Sequence, residues 1–140
     1  MSALDHWHPV LKSNELKKKP KAIILNGKQI VLFRDKDGLA SALDDVCPHR
    51  RMALSNGSVK NGRIVCIYHG MSFDREGKGQ SPGTEDCKIN ATKFDCLESY
   101  GAIWIKSKDS SATSTYLNIE GLRLIDVFHY NINATLELVL

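Results

Sequence analysis

Two short segments carry side chains that bind metals: Cys47-Pro48-His49, and Cys66-Ile67-Tyr68-His69, with sixteen residues between His49 and Cys66. Each segment offers one soft thiolate and one imidazole. A single zinc ion accepts such a Cys₂His₂ set, because zinc takes nitrogen and sulfur donors in a tetrahedron. Zinc fingers, however, pair Cys with Cys and His with His along the chain. Here the order alternates, which suits two matching loops gripping a two-iron cluster, with thiolates on one iron and imidazoles on the other. A lone histidine is more often a core or surface residue, but two Cys–His pairs at this spacing outweigh that reading. Cys87 and Cys96 stand outside the pattern and read as packing residues, and His6, His8 and His129 as non-ligands.

Loops of this kind need a rigid frame, and the sequence predicts one made of strands. Turn dipeptides recur at short intervals: Asn26-Gly27, Asp37-Gly38, Asn56-Gly57, Asn61-Gly62 and Glu76-Gly77, each able to supply the positive φ of a tight turn. Between them, Ala22 to Leu25, Gln29 to Phe33, Leu39 to Leu43, Arg63 to Ile67, Ala102 to Lys106 and Leu122 to Phe128 are apolar runs of strand length. Ser13-Asn14-Glu15-Leu16 predicts a single helical turn before Pro20. The expected fold class is all-β and mostly antiparallel.

The chain has 140 residues, 42% hydrophobic and 25% charged, enough to bury a core without disulfides. Its net charge of +3 is too mild to indicate nucleic acid. A docking face for an acidic partner is compatible with it, although Lys17-Lys18-Lys19 reads first as a solvated face. No run approaches the roughly 20 apolar residues of a membrane span, and Met1 to Trp7 lacks the layout of a signal peptide. The expected compartment is the cytoplasm, where paired Cys and His bind metal more often than disulfides form, and where the sequons at Asn90 and Asn133 are accidental. Residues 106–115, Lys-Ser-Lys-Asp-Ser-Ser-Ala-Thr-Ser-Thr, contain no large apolar side chain and read as a boundary.

Around the four candidate ligands the sequence resembles the Rieske motif. The resemblance rests on Cys47-Pro48-His49-Arg50, Leu54-Ser55-Asn56-Gly57, Gly62-Arg63-Ile64-Val65-Cys66, Tyr68-His69-Gly70 and Phe73-Asp74-Arg75-Glu76-Gly77. Upstream, Leu32-Phe33-Arg34-Asp35 and Leu43-Asp44-Asp45, and downstream, Glu98-Ser99-Tyr100-Gly101-Ala102-Ile103-Trp104, look like the N-terminal domain of Rieske non-haem iron oxygenases of the aromatic-ring-hydroxylating type. The similarity runs from about Trp7 to Lys106. Ile67 and Met71 stand where the family often has Pro and Trp, and Gly79 where it often has a non-ligand Cys.

The resemblance implies a Rieske ISP-like fold: stacked antiparallel sheets and a cluster-binding subdomain of two loops. It implies one [2Fe-2S] cluster per chain, held by Cys47, His49, Cys66 and His69, and one-electron transfer as the function. Arg50 either touches the cluster loops or an interface or merely solvates the loop, and Gly70 allows close backbone approach to the cluster. Respiratory-chain relatives carry an additional cysteine in each loop and hydroxyl donors after the second His; the corresponding residues here are Met52, Tyr68, Met71 and Phe73. Fewer hydrogen bonds to the cluster imply a low reduction potential. Implied partners are a reductase or ferredoxin donor and a mononuclear iron oxygenase domain as acceptor; the family also implies a homotrimer. That acceptor site needs two His and a carboxylate, and after His69 this chain has only His129. Residues 1–108 therefore read as the Rieske domain, and 109–140 as a linker and strands resembling the start of a truncated catalytic domain. The alternatives are a stand-alone Rieske-type ferredoxin and a structural zinc module.

Overall fold

The computed structural model describes residues 3–48, 51–68, 70–83 and 89–108. Ten strands form two antiparallel sheets, and no α-helix occurs among the described residues. The larger sheet contains β1 (His8–Lys12), β2 (Lys21–Leu25), β3 (Lys28–Arg34), β4 (Ala40–Asp44), β9 (Lys93–Ser99) and β10 (Ala102–Ser107), in the order β1-β10-β9-β4-β3-β2. The smaller contains β5 (Ser58–Lys60), β6 (Arg63–Val65), β7 (Ser72–Phe73) and β8 (Gly79–Gln80), in sequence order. A 3₁₀ turn at Ser13–Glu15 occupies the predicted helical turn. The expectation of an all-β fold of stacked antiparallel sheets holds. The run Leu122 to Phe128, and Cys87, lie outside the described residues.

Alternation along β3 explains why Ile30 to Phe33 is apolar without a break. Ile30 and Leu32 enter one core, with Leu16, Ala40, Ala42, Phe94, Ile103 and Ile105. Val31 and Phe33 enter the other, with Leu43 from β4 and with Ile64 and Phe73 from the small sheet. A strand buried on both faces loses the polar half of its period. The second core cements the two sheets and contains Cys47 and Cys66.

The hairpins follow the turn chemistry. Asn26-Gly27 (φ 51° and 75°) joins β2 to β3, and Asn61-Gly62 (53° and 75°) joins β5 to β6. Tyr100-Gly101 (55° and 74°) joins β9 to β10 in the same way, a turn the dipeptide reading missed because Tyr is an unusual αL residue. Asp35-Lys36-Asp37-Gly38-Leu39 and Asp74-Arg75-Glu76-Gly77-Lys78 form two copies of one turn. In each, the first Asp accepts bonds at Oδ1 from the backbone N–H groups two and four residues on, all at 2.9 Å, and the Gly has φ 80°. Arg75 of the second copy reaches Asp35 of the first at 2.9 Å, an ion pair linking the two sheets. Asn56-Gly57 departs from the expectation: Gly57 has a negative φ of −86° and closes a 3₁₀ turn at Leu54–Asn56.

Arg34 fastens three chain segments. Its guanidinium donates to the carbonyls of Leu16 (2.7 Å), Ser13 (2.8 Å) and Gly38 (2.9 Å), and to both carboxylate oxygens of Glu98 (2.6 and 3.2 Å). Removing it as Arg34→Ala strands several half-buried acceptors, and the expected loss is about 2–3 kcal/mol in urea unfolding. The Arg34 bond holds the Glu98 carboxyl below its ordinary value, against a smaller opposing effect of burial. A carboxyl depressed in the folded state stabilises fully above its unfolded pKa, near 4.3, and the contribution disappears as pH falls through the folded value. Glu98→Gln should therefore be less stable than wild type at pH 7, and the gap between their urea midpoints should shrink below about pH 4.

Candidate metal centre

Both candidate ligand loops are built on one backbone frame. β4 leads into the first loop, and the second spans β6 to β7. The Cys47 N–H donates to the carbonyl of Met52, five residues ahead, at 2.6 Å, and the Cys66 N–H to that of Met71, also five ahead, at 2.7 Å. The fourth residue after each Cys is left-handed: Arg51 at φ 60° and Gly70 at φ 68°. Gly70 is thus required by its backbone conformation, with Pro82 Cγ only 3.3 Å from where a Cβ would stand. Arg51 meets the same demand with a side chain attached, which costs on the order of 1 kcal/mol. Arg51→Gly is expected to raise stability by about 0.5–1 kcal/mol in thermal unfolding, since the exposed side chain makes no hydrogen bond or ion pair among the described residues.

The frame brings two of the four sequence-predicted residues together. The thiols of Cys47 and Cys66 lie in hydrogen-bonding contact, both 1% exposed, and both unlinked by any disulfide. Burial pushes the Cys66 thiol up; the backbone N–H of Tyr68, which donates to its sulfur, pulls it back down, and the adjacent Cys47 raises it again. His49 and His69 lie outside the described residues, as does Arg50. Among the described residues no third Cys, His, Asp or Glu joins the two thiols. Cys96 lies on β9, partly buried against the other core, and burial lifts its thiol to about 12, so it stays protonated and serves packing as expected. His8 is buried on β1 and His6 is exposed.

Two polar clasps close the bases of the loops. Asp45, 3% exposed, accepts from the Ser55 N–H at 2.7 Å and the Ser55 hydroxyl at 2.6 Å, tying the chain before Cys47 to the chain after Met52. Arg63 donates to the Ser72 hydroxyl (3.0 Å) and to the carbonyls of Ser72 (3.2 Å) and Lys78 (2.9 Å), tying the chain before Cys66 to the chain after Met71. The residue types around the candidate ligands do not announce these braces; the available signal was an Asp two residues before the first Cys. The loops end in apolar groups that face solvent: Ile67 is 61% and Tyr68 47% exposed.

The donor set fits an iron–sulfur cluster. Two adjacent buried thiols, in a core of Val31, Phe33, Leu54, Ile64, Met71 and Phe73, have no counter-charge of their own to justify ionisation. A thiophilic metal held by Cys47 and Cys66 would supply it, since coordination deprotonates a thiol.

Comparison with known proteins gives the same reading. Residues 6–100 match the family model described as the Rieske [2Fe-2S] domain. The chain is 34% identical to the 3-chlorobenzoate-3,4-dioxygenase oxygenase subunit of Comamonas testosteroni, over 72% of this chain and 25% of that protein. It is 35% identical to a methylxanthine N1-demethylase of Pseudomonas putida, over 94% of this chain and 42% of that protein. A crystal structure of apo dicamba monooxygenase superposes with a TM-score of 0.71 at 34% identity, covering 76% of this chain and 34% of the other. The chain spans about a quarter to two fifths of the length of these curated relatives. The paired thiols, the repeated loop frame and the family match together show that this chain belongs to the Rieske [2Fe-2S] domain family, whose cofactor is a [2Fe-2S] cluster.

Proposed function

We propose that the chain is the electron-transfer domain of a Rieske oxygenase-like system, with Cys47 and Cys66 on one iron and His49 and His69 on the other. The observation that carries this reading is the meeting of two buried, unlinked thiols at the heads of two loops with the same frame. When bound, the cluster takes up and releases one electron at a time. The residues around it hold and insulate it. Met52 and Val59 pack on the core that contains both cysteines, and Phe73 and Leu54 seal it from water. The clasps at Asp45–Ser55 and Arg63–Ser72 fix the separation of the loop bases.

Electrons come, in this reading, from a reductase or ferredoxin and pass to a mononuclear iron oxygenase domain, as the names of the relatives as oxygenase components and demethylases support. Residues 1–108 form the Rieske domain and 109–140 the beginning of the next. In this reading the protein is cytoplasmic and assembles as a homotrimer. Met71 and Phe73 bring a thioether and a ring where hydroxyl donors would raise the potential. Protein-film voltammetry of the loaded chain tests this: a reversible one-electron wave toward the low end of the roughly −150 to +300 mV Rieske range is expected. A wave at the high end would contradict the low-potential assignment, and no wave would sink the electron-transfer reading.

A further inference from the structure

A groove of about 410 Å³ lies where the two sheets adjoin, lined by Lys17, Lys18, Arg34, Asp35, Val59, Asn61 and Gly62. None of these residues belongs to either ligand loop. Two of the charged ones are already committed: Arg34 to Glu98 and three carbonyls, Asp35 to Arg75. Lys17 and Lys18 are exposed and form no ion pair among the described residues, and the same holds for Lys19, Lys36 and Lys60. Lys36 belongs to this surface because its backbone abuts Gly62, and Lys60 because it precedes Asn61 in the same hairpin. Exposed Asp37 adds one negative charge against these five lysines, so the local balance is positive.

The groove is also rigid and wired to the thiols. A Cβ at Gly62 would collide with the Lys36 backbone, and Gly62 has φ 75°, so this wall cannot carry a side chain. Val59, in the groove, pairs in register with Ile64 and packs on the core containing Cys47 and Cys66; Ile64, on β6, is two residues before Cys66 in the chain. A short path of bonds and packed side chains therefore runs from the groove to a proposed cluster thiolate.

We infer that this groove docks an acidic electron-donor protein, whose carboxylates pair with Lys17 and Lys18 while an apolar group seats on Val59. The inference rests on the electron-transfer reading above and adds the face through which electrons arrive. In the transfer, the reduced iron–sulfur or flavin centre of the donor loses one electron and the [2Fe-2S] cluster gains it; no bond is made or broken. Unpaired lysines at a rim steer association and set its salt dependence, and the separate, apolar loop tip at Ile67 and Tyr68 stays open for the acceptor.

The test uses the full, cluster-loaded chain with an acidic plant-type [2Fe–2S] ferredoxin as probe, at low and high salt. Fluorescence anisotropy gives binding, carbodiimide coupling maps which lysines meet carboxylates, and stopped flow gives the rate of cluster reduction. The double variant Lys17→Glu/Lys18→Glu should weaken binding and slow reduction about tenfold, against less than about twofold for Lys78→Glu elsewhere on the surface. Coupled peptides should contain Lys17 or Lys18, and binding should fall with salt. Reduction by photoreduced 5-deazariboflavin, a neutral small molecule, should be the same in every variant. No binding to wild type, or coupling only at other lysines with the double variant unaffected, overturns the inference. A chain that deazariboflavin cannot reduce condemns the underlying electron-transfer reading instead, so the two failures are distinguishable.

Discussion

Cys66→Ser is expected to strip the chain of both irons and its colour after anaerobic reconstitution, and Cys47→Ser to do the same, whereas Cys96→Ser keeps full iron and sulfide content. The contrast follows from position. Cys47 and Cys66 share one buried spot at the heads of matched loops, while Cys96 packs beside the other core. A serine hydroxyl in place of a buried thiol also leaves a polar group short of partners, at about 1–3 kcal/mol. That cost alone leaves a folded protein, so circular dichroism should retain the β signal while iron and sulfide assays drop to background. Equal iron in Cys66→Ser and wild type would remove this residue from the ligand set.

Gly57→Ala is expected to cost more than about 3 kcal/mol, which lowers the melting temperature by more than about 10 °C. Gly57 sits at an ordinary φ of −86°, so conformational freedom is not its reason for being there. A Cβ at this position would strike the carbonyl oxygen of Val65. Val65 immediately precedes Cys66, and Gly57 immediately precedes β5, whose pairing with β6 sets the height of the second loop. Relief of the clash must therefore move either the 3₁₀ turn held by the Asp45–Ser55 clasp or the backbone entering Cys66. Loss of stability together with loss of iron from the soluble fraction is the expected pattern, read by thermal unfolding and iron assay. Unchanged melting would mean the backbone yields at no cost.

The comparison between sequence and structure is most informative at such positions. Asn56-Gly57 reads as a positive-φ turn, yet its glycine is there because a Cβ would strike the Val65 carbonyl; close backbone approach across a strand pair leaves no signature in the residue types. The meeting of Cys47 and Cys66 was legible because metal chemistry needs particular residue types at particular spacings. The strands β2, β3, β4, β6 and β10 were legible because their apolar runs are long or bounded by turn dipeptides. Ile67 was read into the β6 run, but the strand ends at Val65 and Ile67 stands exposed in the loop, since a side chain beside a ligand can face solvent whatever its hydropathy. The short strands β5, β7 and β8, two or three residues each, carry too little sequence to show a period. The Arg34 and Arg63 anchors were invisible for a different reason: a charged residue in a strand looks like a solvated face until its acceptors are brought in by the fold.

Electron paramagnetic resonance of the dithionite-reduced chain, with nitrogen hyperfine coupling resolved, tests whether Cys47, His49, Cys66 and His69 hold a [2Fe-2S] cluster. A rhombic signal with mean g below two, coupled to two imidazole nitrogens that vanish singly in His49→Cys and His69→Cys, is the predicted result. A silent, colourless protein holding one zinc ion per chain would contradict it and leave a metal-stabilised β domain.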